Sequence, residues 1–232
     1  MQKNRAEIDR IKDVYKQRRE IFPNKYSYFN KANLFVVQRR EWEIIRMLKK
    51  HKITFLKNTR ILDVGCGIGN ELRSFIKYGA SPENLFGIDM VESRINKAKK
   101  LSPNINYKCQ DASLLPYKDE DFDIITQFTV FTSILDTDMK TQIAKEILRV
   151  LKSNGIIIWY DFHINNPRNK NTRRINKKEL CLLFPNCDIN LKSITLAPPL
   201  TRTLAPISTI LCQLLEKIPL LCTHYIGTIQ KR

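Results

Sequence analysis

From residue 60 to the end of the chain, short apolar runs alternate with stretches whose apolar positions recur at helical spacing. The runs RILDV (60–64), NLFGI (84–88), NINYKC (104–109), FDIITQF (122–128), GIIIWYDF (155–162), DINLKSITL (188–196) and HYIGTIQ (224–230) predict seven strands. Residues 69–78, 92–101, 138–152, 177–184 and 207–217 predict helices between them. Strand, helix and strand at this interval require right-handed crossovers, hence a largely parallel sheet covered on both faces. Before residue 60 the texture differs. Residues 4–20 and 32–53 interleave charges with apolar positions such as Ile8, Ile11, Val14 and Tyr15, and predict two helices joined by the turn-rich FPNKYSYFNKAN. KSNG at 152–155 reads as a helix stop leading into a strand, and LAPPLTRTLAP as a proline-rich loop.

Composition narrows this picture only a little. A chain of 232 residues with 43% apolar content suits one α/β domain with a small appendage. Cys66, Cys109, Cys181, Cys187, Cys212 and Cys222 show neither CxxC pairing nor a histidine-rich neighbourhood, so no metal is expected and most read as small buried hydrophobes. The first twenty residues are charged throughout, which argues against a signal peptide. LAPISTILCQLLEKIPLLC is broken by Gln213, Glu216, Lys217 and two prolines, a poor membrane span. The expectation is a soluble, cytoplasmic protein, at most peripheral to a membrane. The net charge of +17 fits an anionic partner such as nucleic acid or lipid, or simply a lysine-rich surface.

The candidate chemistry begins at RILDVGCGIGNEL, which holds three of the seven glycines. A strand ending in Asp63-Val64, then Gly65-Cys66-Gly67-Ile68-Gly69, then a helix, is a turn at the carboxyl end of a parallel strand, where open α/β sheets bind ligands. Asp89 ends the next strand twenty residues after Gly69, where a carboxylate can accept both hydroxyls of a ribose or, alternatively, cap the helix that follows. Dinucleotide binders favour G-x-G-x-x-G, which leaves helix amides free for pyrophosphate. Here the pattern is D-x-G-x-G-x-G, and an acid beside the loop suits an α-amino group better than a phosphate.

On these motifs residues 60–162 resemble a class I S-adenosylmethionine-dependent methyltransferase of the type 11-like kind, and ILDVGCGIGN is similar to that family's first motif. The resemblance implies a Rossmann-like seven-stranded sheet with its last strand antiparallel, S-adenosylmethionine as cofactor and S-adenosylhomocysteine as product. It implies that Asp63, Gly65, Cys66, Gly67, Gly69 and Asn70 wrap the methionine moiety. In GIDM, Asp89 would hold the ribose and Met90 flank the adenine. In CQDASLLPYKDEDFD, Asp111 would accept the adenine amino group beside the Ala112 amide, and Gln127 would emerge from the fourth strand beneath the methionine part. Residues 1–58 would then form an N-terminal cap or lid, and 59–232 the methyltransferase domain, with substrate-side elements from about 163.

An oxygen acceptor also needs a general base. His163 and Asp161, at the end of WYDFH, are the candidates, while His51 and His224 read as structural. Tyr28, Phe131, Asn166 and Arg168 are expected on the acceptor side, although the connector aromatics could equally be core for two packed helices. The segment Ile207–Leu215 reads as core, as shelter for an apolar acceptor, or as a bilayer contact. The expected acceptor is a small molecule or a glycan, lipid-linked forms included, with bacterial surface polysaccharide biosynthesis as the expected setting. RNA is the competing substrate, but the fourth strand ends in QFTVF rather than the Asn/Asp-Pro-Pro-aromatic motif frequent in base N-methyltransferases. A non-catalytic partner protein on the same fold is the third reading.

Overall fold

The computed structural model describes residues 2–21, 26–167 and 169–232, with side chains described from residue 6 and interrupted at 17–25. Seven strands form one sheet in the order β3-β2-β1-β4-β5-β7-β6. They are β1 (Ile61–Val64), β2 (Leu85–Asp89), β3 (Asn106–Cys109), β4 (Phe122–Phe128), β5 (Leu151–Phe162), β6 (Cys187–Leu196) and β7 (Cys222–Lys231). β1 to β5 pair in parallel, and β7 is inserted antiparallel between β5 and β6. The expected sheet and its antiparallel last strand are both present. Strand order reverses between β1 and β4, which opens a crevice at their carboxyl ends.

Helices cover both faces. α2 (Lys31–Lys50), α3 (Asn70–Lys77) and α4 (Glu92–Leu101) bury Ile44, Leu72 and Ile95 against Ile61, Ile124 and Ile158. On the opposite face α5 (Thr137–Val150) and α6 (Lys177–Leu183) bury Ile143, Ile147 and Leu180 against Leu62, Ile125, Ile157 and Trp159. Alternate residues of each strand therefore feed two separate cores, and this alternation fixes which strand residues meet which helices. α1 (Gln2–Ile21) places Ile11 at the edge of the second core, above the crevice. α2 and α5 begin at capping side chains: Asn30 accepts from the amides of Ala32 and Asn33, and Asp136 from Met139.

Two local readings need correction. The proline-rich loop contains α7 (Pro198–Leu204), because both prolines occupy the first turn, where no amide hydrogen is needed. KSNG does not separate helix from strand: β5 begins at Leu151, paired with Phe122, and absorbs those residues through a register shift. The last helix, α8 (Thr209–Glu216), buries Cys212 and Glu216 but leaves Ile210 and Leu214 largely exposed, so the core reading of that segment covers one face only.

Candidate cofactor and acceptor site

Three turns at the carboxyl edge of the parallel strands surround the crevice. After β1 the chain passes Gly65, Gly67 and Gly69 at φ of +73°, +57° and +79°, a left-handed conformation that glycine adopts without steric cost. A Cβ at Gly69 would strike the Tyr107 hydroxyl, and one at Gly65 the Val130 side chain, so conformation and space both demand glycine. After β2, buried Asp89 accepts from the Gly67 amide and from the Val91 amide, each at 2.9 Å, and from Arg94 Nη1 at 3.2 Å. Asp89 thus clips the glycine loop to the start of α4. After β3, Asp111 accepts the Ser113 amide at 2.9 Å and the Ser113 hydroxyl at 2.5 Å, a side-chain turn that sets the position of Ala112.

Between these turns lies a cavity that opens to solvent. Gly65, Asp89, Met90 and Ala112 line it, and α1 contributes Ile11 and Tyr15 across its mouth. α1 is pinned there by Arg10, which donates to the Ser133 carbonyl at 2.7 Å, and by Glu7, which accepts the Leu135 amide at 2.5 Å. The Arg94 guanidinium lies 4.6 Å from the centre of the Tyr15 ring.

Behind the loop, Asp63 is buried, accepts the Thr126 hydroxyl at 2.6 Å, and has its carboxyl pushed up to about 8 by burial, helped by Glu71 and Asp89. Arg40 extends from α2 over the rings of Phe128 and Tyr160, pairs with Glu71, and keeps a buried Nε with no hydrogen-bond partner among the described residues. Gln127, fully buried, accepts the Val130 amide at 2.8 Å, while its Nε2 has no such partner either. Buried donors are rarely left unpaired. Two beside a glycine loop fit a ligand that carries acceptor groups.

The expected residues separate in space. Gly65, Asp89, Met90 and Ala112 face the cavity, Asp63, Cys66, Gly67 and Gly69 shape the turn, and Asn70 is exposed with its side chain on Arg73. Asp161 is buried and holds the loop after β4, accepting from the Thr132 hydroxyl at 2.5 Å and the Phe162 amide at 2.9 Å; burial pushes its carboxyl up to about 6. His163 follows β5, stacks on Tyr225 at 4.2 Å, and has a buried Nε2 without a hydrogen-bond partner among the described residues. Burial holds its pKa below the usual histidine value, so the ring is neutral near pH 7. Neither group lines the cavity.

On the acceptor side, Phe131 is buried against Trp159 and Phe184, and is therefore core. Tyr28 and Asn166 are exposed and Arg168 lies outside the described residues. Tyr26, Tyr28 and Phe29 are exposed, so they are not core between the first two helices. Arg40, Arg94 and Tyr15 were not anticipated. For Arg40 a signal existed, since Val36, Arg40, Ile44 and Leu48 follow one another at intervals of four and put the arginine on the buried face of α2.

A doubly wound sheet whose glycine turn, strand-end carboxylate and cavity meet at the switch point has the layout of a nucleotide-cofactor fold. Residues 62–159 match the family described as "Methyltransferase domain". A 2-methyl-6-phytyl-1,4-hydroquinone methyltransferase from Synechocystis sp. is 33% identical over 119 residues, covering 50% of this chain and 36% of the relative. A ubiquinone biosynthesis O-methyltransferase from Coxiella burnetii is 33% identical over 114 residues, covering 47% of this chain and 46% of the relative. The chain thus spans less than half the length of these curated relatives. A solved structure from Pyrococcus horikoshii superposes with a TM-score of 0.60 at 18% identity, over 93% of this chain and 99% of that one, a likeness of fold. Residues 62–159 of the chain thus carry a methyltransferase domain.

Proposed function

We propose that this chain transfers a methyl group from S-adenosylmethionine to a hydroxyl of a small-molecule acceptor, with glycan and lipid-linked hydroxyl compounds as the finer candidates. The observation that carries the reading is the convergence of Gly65, Asp89, Met90 and Ala112 on one cavity at the strand-order switch. When bound, the cofactor supplies an electrophilic methyl; the chain's own task is to hold and align.

Asp89 would accept the ribose hydroxyls, Arg94 giving up its place on Oδ2. Asp63 would pair with the α-ammonium, and the Nε of Arg40 and Nε2 of Gln127 would donate to acceptor atoms of the amino-acid end. Ala112 and the Asp111 turn would hold the adenine edge. Tyr15 and Ile11 close the mouth, which excludes water and fixes the acceptor's approach. His163, neutral and with an unpaired ring nitrogen at the tip of β5 but outside the cavity lining, is the base for an acceptor whose hydroxyl extends from the cavity toward the end of β5. The names of the relatives, a hydroquinone and a ubiquinone-pathway methyltransferase, favour small hydroxylated acceptors.

The test is titration calorimetry with S-adenosylmethionine and S-adenosylhomocysteine, then transfer of labelled methyl onto fractionated cell extract. Micromolar binding is expected, with label in a small-molecule, glycan or lipid fraction. Label in RNA would replace the acceptor class, and absence of binding would leave a non-catalytic fold. His163→Ala should keep cofactor affinity and lower turnover by about a hundredfold; unchanged turnover would move the base elsewhere.

A further inference from the structure

Two segments far apart in sequence meet at one end of the molecule and leave it apolar. α7, α8 and the turn at Pro219–Leu221 connect β6 to β7. β6 ends at Leu196 and β7 begins at Cys222, opposite one another on the same sheet edge as the carboxyl end of β5, so this insertion flanks the edge that carries the cofactor cavity. The start of α2 lies against it, with Lys31 Nζ donating to the Pro206 carbonyl at 3.3 Å and Phe35 packed with Cys212.

In and beside this platform Phe29 is 100% exposed, Ile207 80%, Ile210 69%, Leu214 53% and Leu220 86%, with Ile210 and Leu214 one turn apart on the same face of α8. Soluble surfaces rarely gather side chains of this kind unless something covers them. The inner face is fixed: Glu216 accepts the Thr195 amide at 3.0 Å and pairs with Arg39 at 2.6 Å, which seats α8 on β6 and α2. The exposed leucines and isoleucines are thus held outward by a locked inner face.

Charge selects the occupant. Across residues 26–40 and 197–224 the only acidic residue is Glu216, which is buried, whereas Lys31, Arg202 and Lys217 are exposed beside the apolar side chains. A short amphipathic helix with apolar residues outward, basic residues at its margin and no exposed acid has the pattern of an element that lies in a lipid interface. We propose that the α7–α8 platform with Phe29 docks the protein onto an anionic phospholipid surface, turning the cavity edge toward the bilayer.

The test is flotation of the full chain with vesicles, without cofactor, so the result does not depend on the methyltransferase reading. Vesicles of phosphatidylcholine containing one part in three phosphatidylglycerol are expected to carry the protein, and pure phosphatidylcholine vesicles to carry much less. Ile210→Ser with Leu214→Ser should weaken partitioning by at least about tenfold, with circular dichroism and melting unchanged because both side chains are solvent-facing. Arg202→Glu with Lys217→Glu should produce a comparable loss that 0.5 M salt reproduces in the wild type. The proposal fails if the wild type does not float with the anionic vesicles, or if the folded Ile210→Ser/Leu214→Ser variant floats as well as wild type. It also fails if light scattering shows a dimer that those substitutions dissolve and lipid leaves intact, since a second copy would then be the occupant.

Discussion

Asp89 and Asp63 show how differently two buried carboxylates can serve one site. Asp89 already has three donors, so its charge is compensated before any ligand arrives. Asp89→Ala removes the proposed ribose acceptor and unclips the Gly67 amide together. We expect S-adenosylmethionine affinity to fall at least about tenfold by calorimetry, and an unchanged affinity would reject the ribose assignment. Asp63 has one hydroxyl donor, and burial pushes its carboxyl up to about 8, so at pH 7 it is mostly protonated in the free protein. An ammonium placed against it favours the ionised form, so binding should release a proton. The sign follows: affinity rises with pH between about 6 and 7.5, and binding heats near pH 7 vary with the ionisation enthalpy of the buffer. Asp63→Asn should abolish the buffer dependence; if it persists, the proton comes from another group.

At the scale of elements, hydrophobic periodicity located every strand to within four residues and the glycine turn to its register, because both follow from local sterics and burial. What stayed hidden depends on contacts between distant segments. α7 was read as loop because proline is a helix breaker except in the first turn, and only the seating of that turn beneath β6 tells which case applies. Asp161 lies at the right strand tip for chemistry, yet its bonds to Thr132 on the preceding loop make it a support for the cavity wall. A cap role for residues 1–58 followed from the resemblance alone, and the contact that seats α1, Arg10 on Ser133, exists only in the folded chain. Glu7→Ala with Arg10→Ala would cut that latch and leave the sheet core untouched. Cofactor release should accelerate about threefold to tenfold in stopped-flow traces while the melting temperature moves by only a few degrees. Unchanged release would show that α1 does not close the site.

Across the whole molecule, the carboxyl edge is bounded by α1 on one flank and by the exposed platform of α7 and α8 on the other, with the glycine turn between them. This edge is held together by a buried aromatic and cationic stack. His224 lies flat on Tyr160 at 4.5 Å, touches Phe162, and accepts or donates at Nδ1 to the Thr223 hydroxyl at 2.9 Å. Burial, then the nearby Arg40 and His163, lower its pKa to about 3. The ring is therefore neutral in the fold at pH values where the unfolded chain's histidine, with a pKa near 6.5, is already charged. Between those values the unfolded state binds the extra proton, so stability must fall as pH drops from about 6.5 toward 3. Above pH 6.5 the group contributes no pH dependence. His224→Phe keeps a ring on Tyr160 but cannot take up a proton in either state. Its denaturant midpoint should consequently drop less than that of wild type between pH 7 and pH 4.5, whatever its absolute stability at pH 7. Parallel curves for the two proteins would mean that the acid sensitivity of this edge arises from groups other than His224.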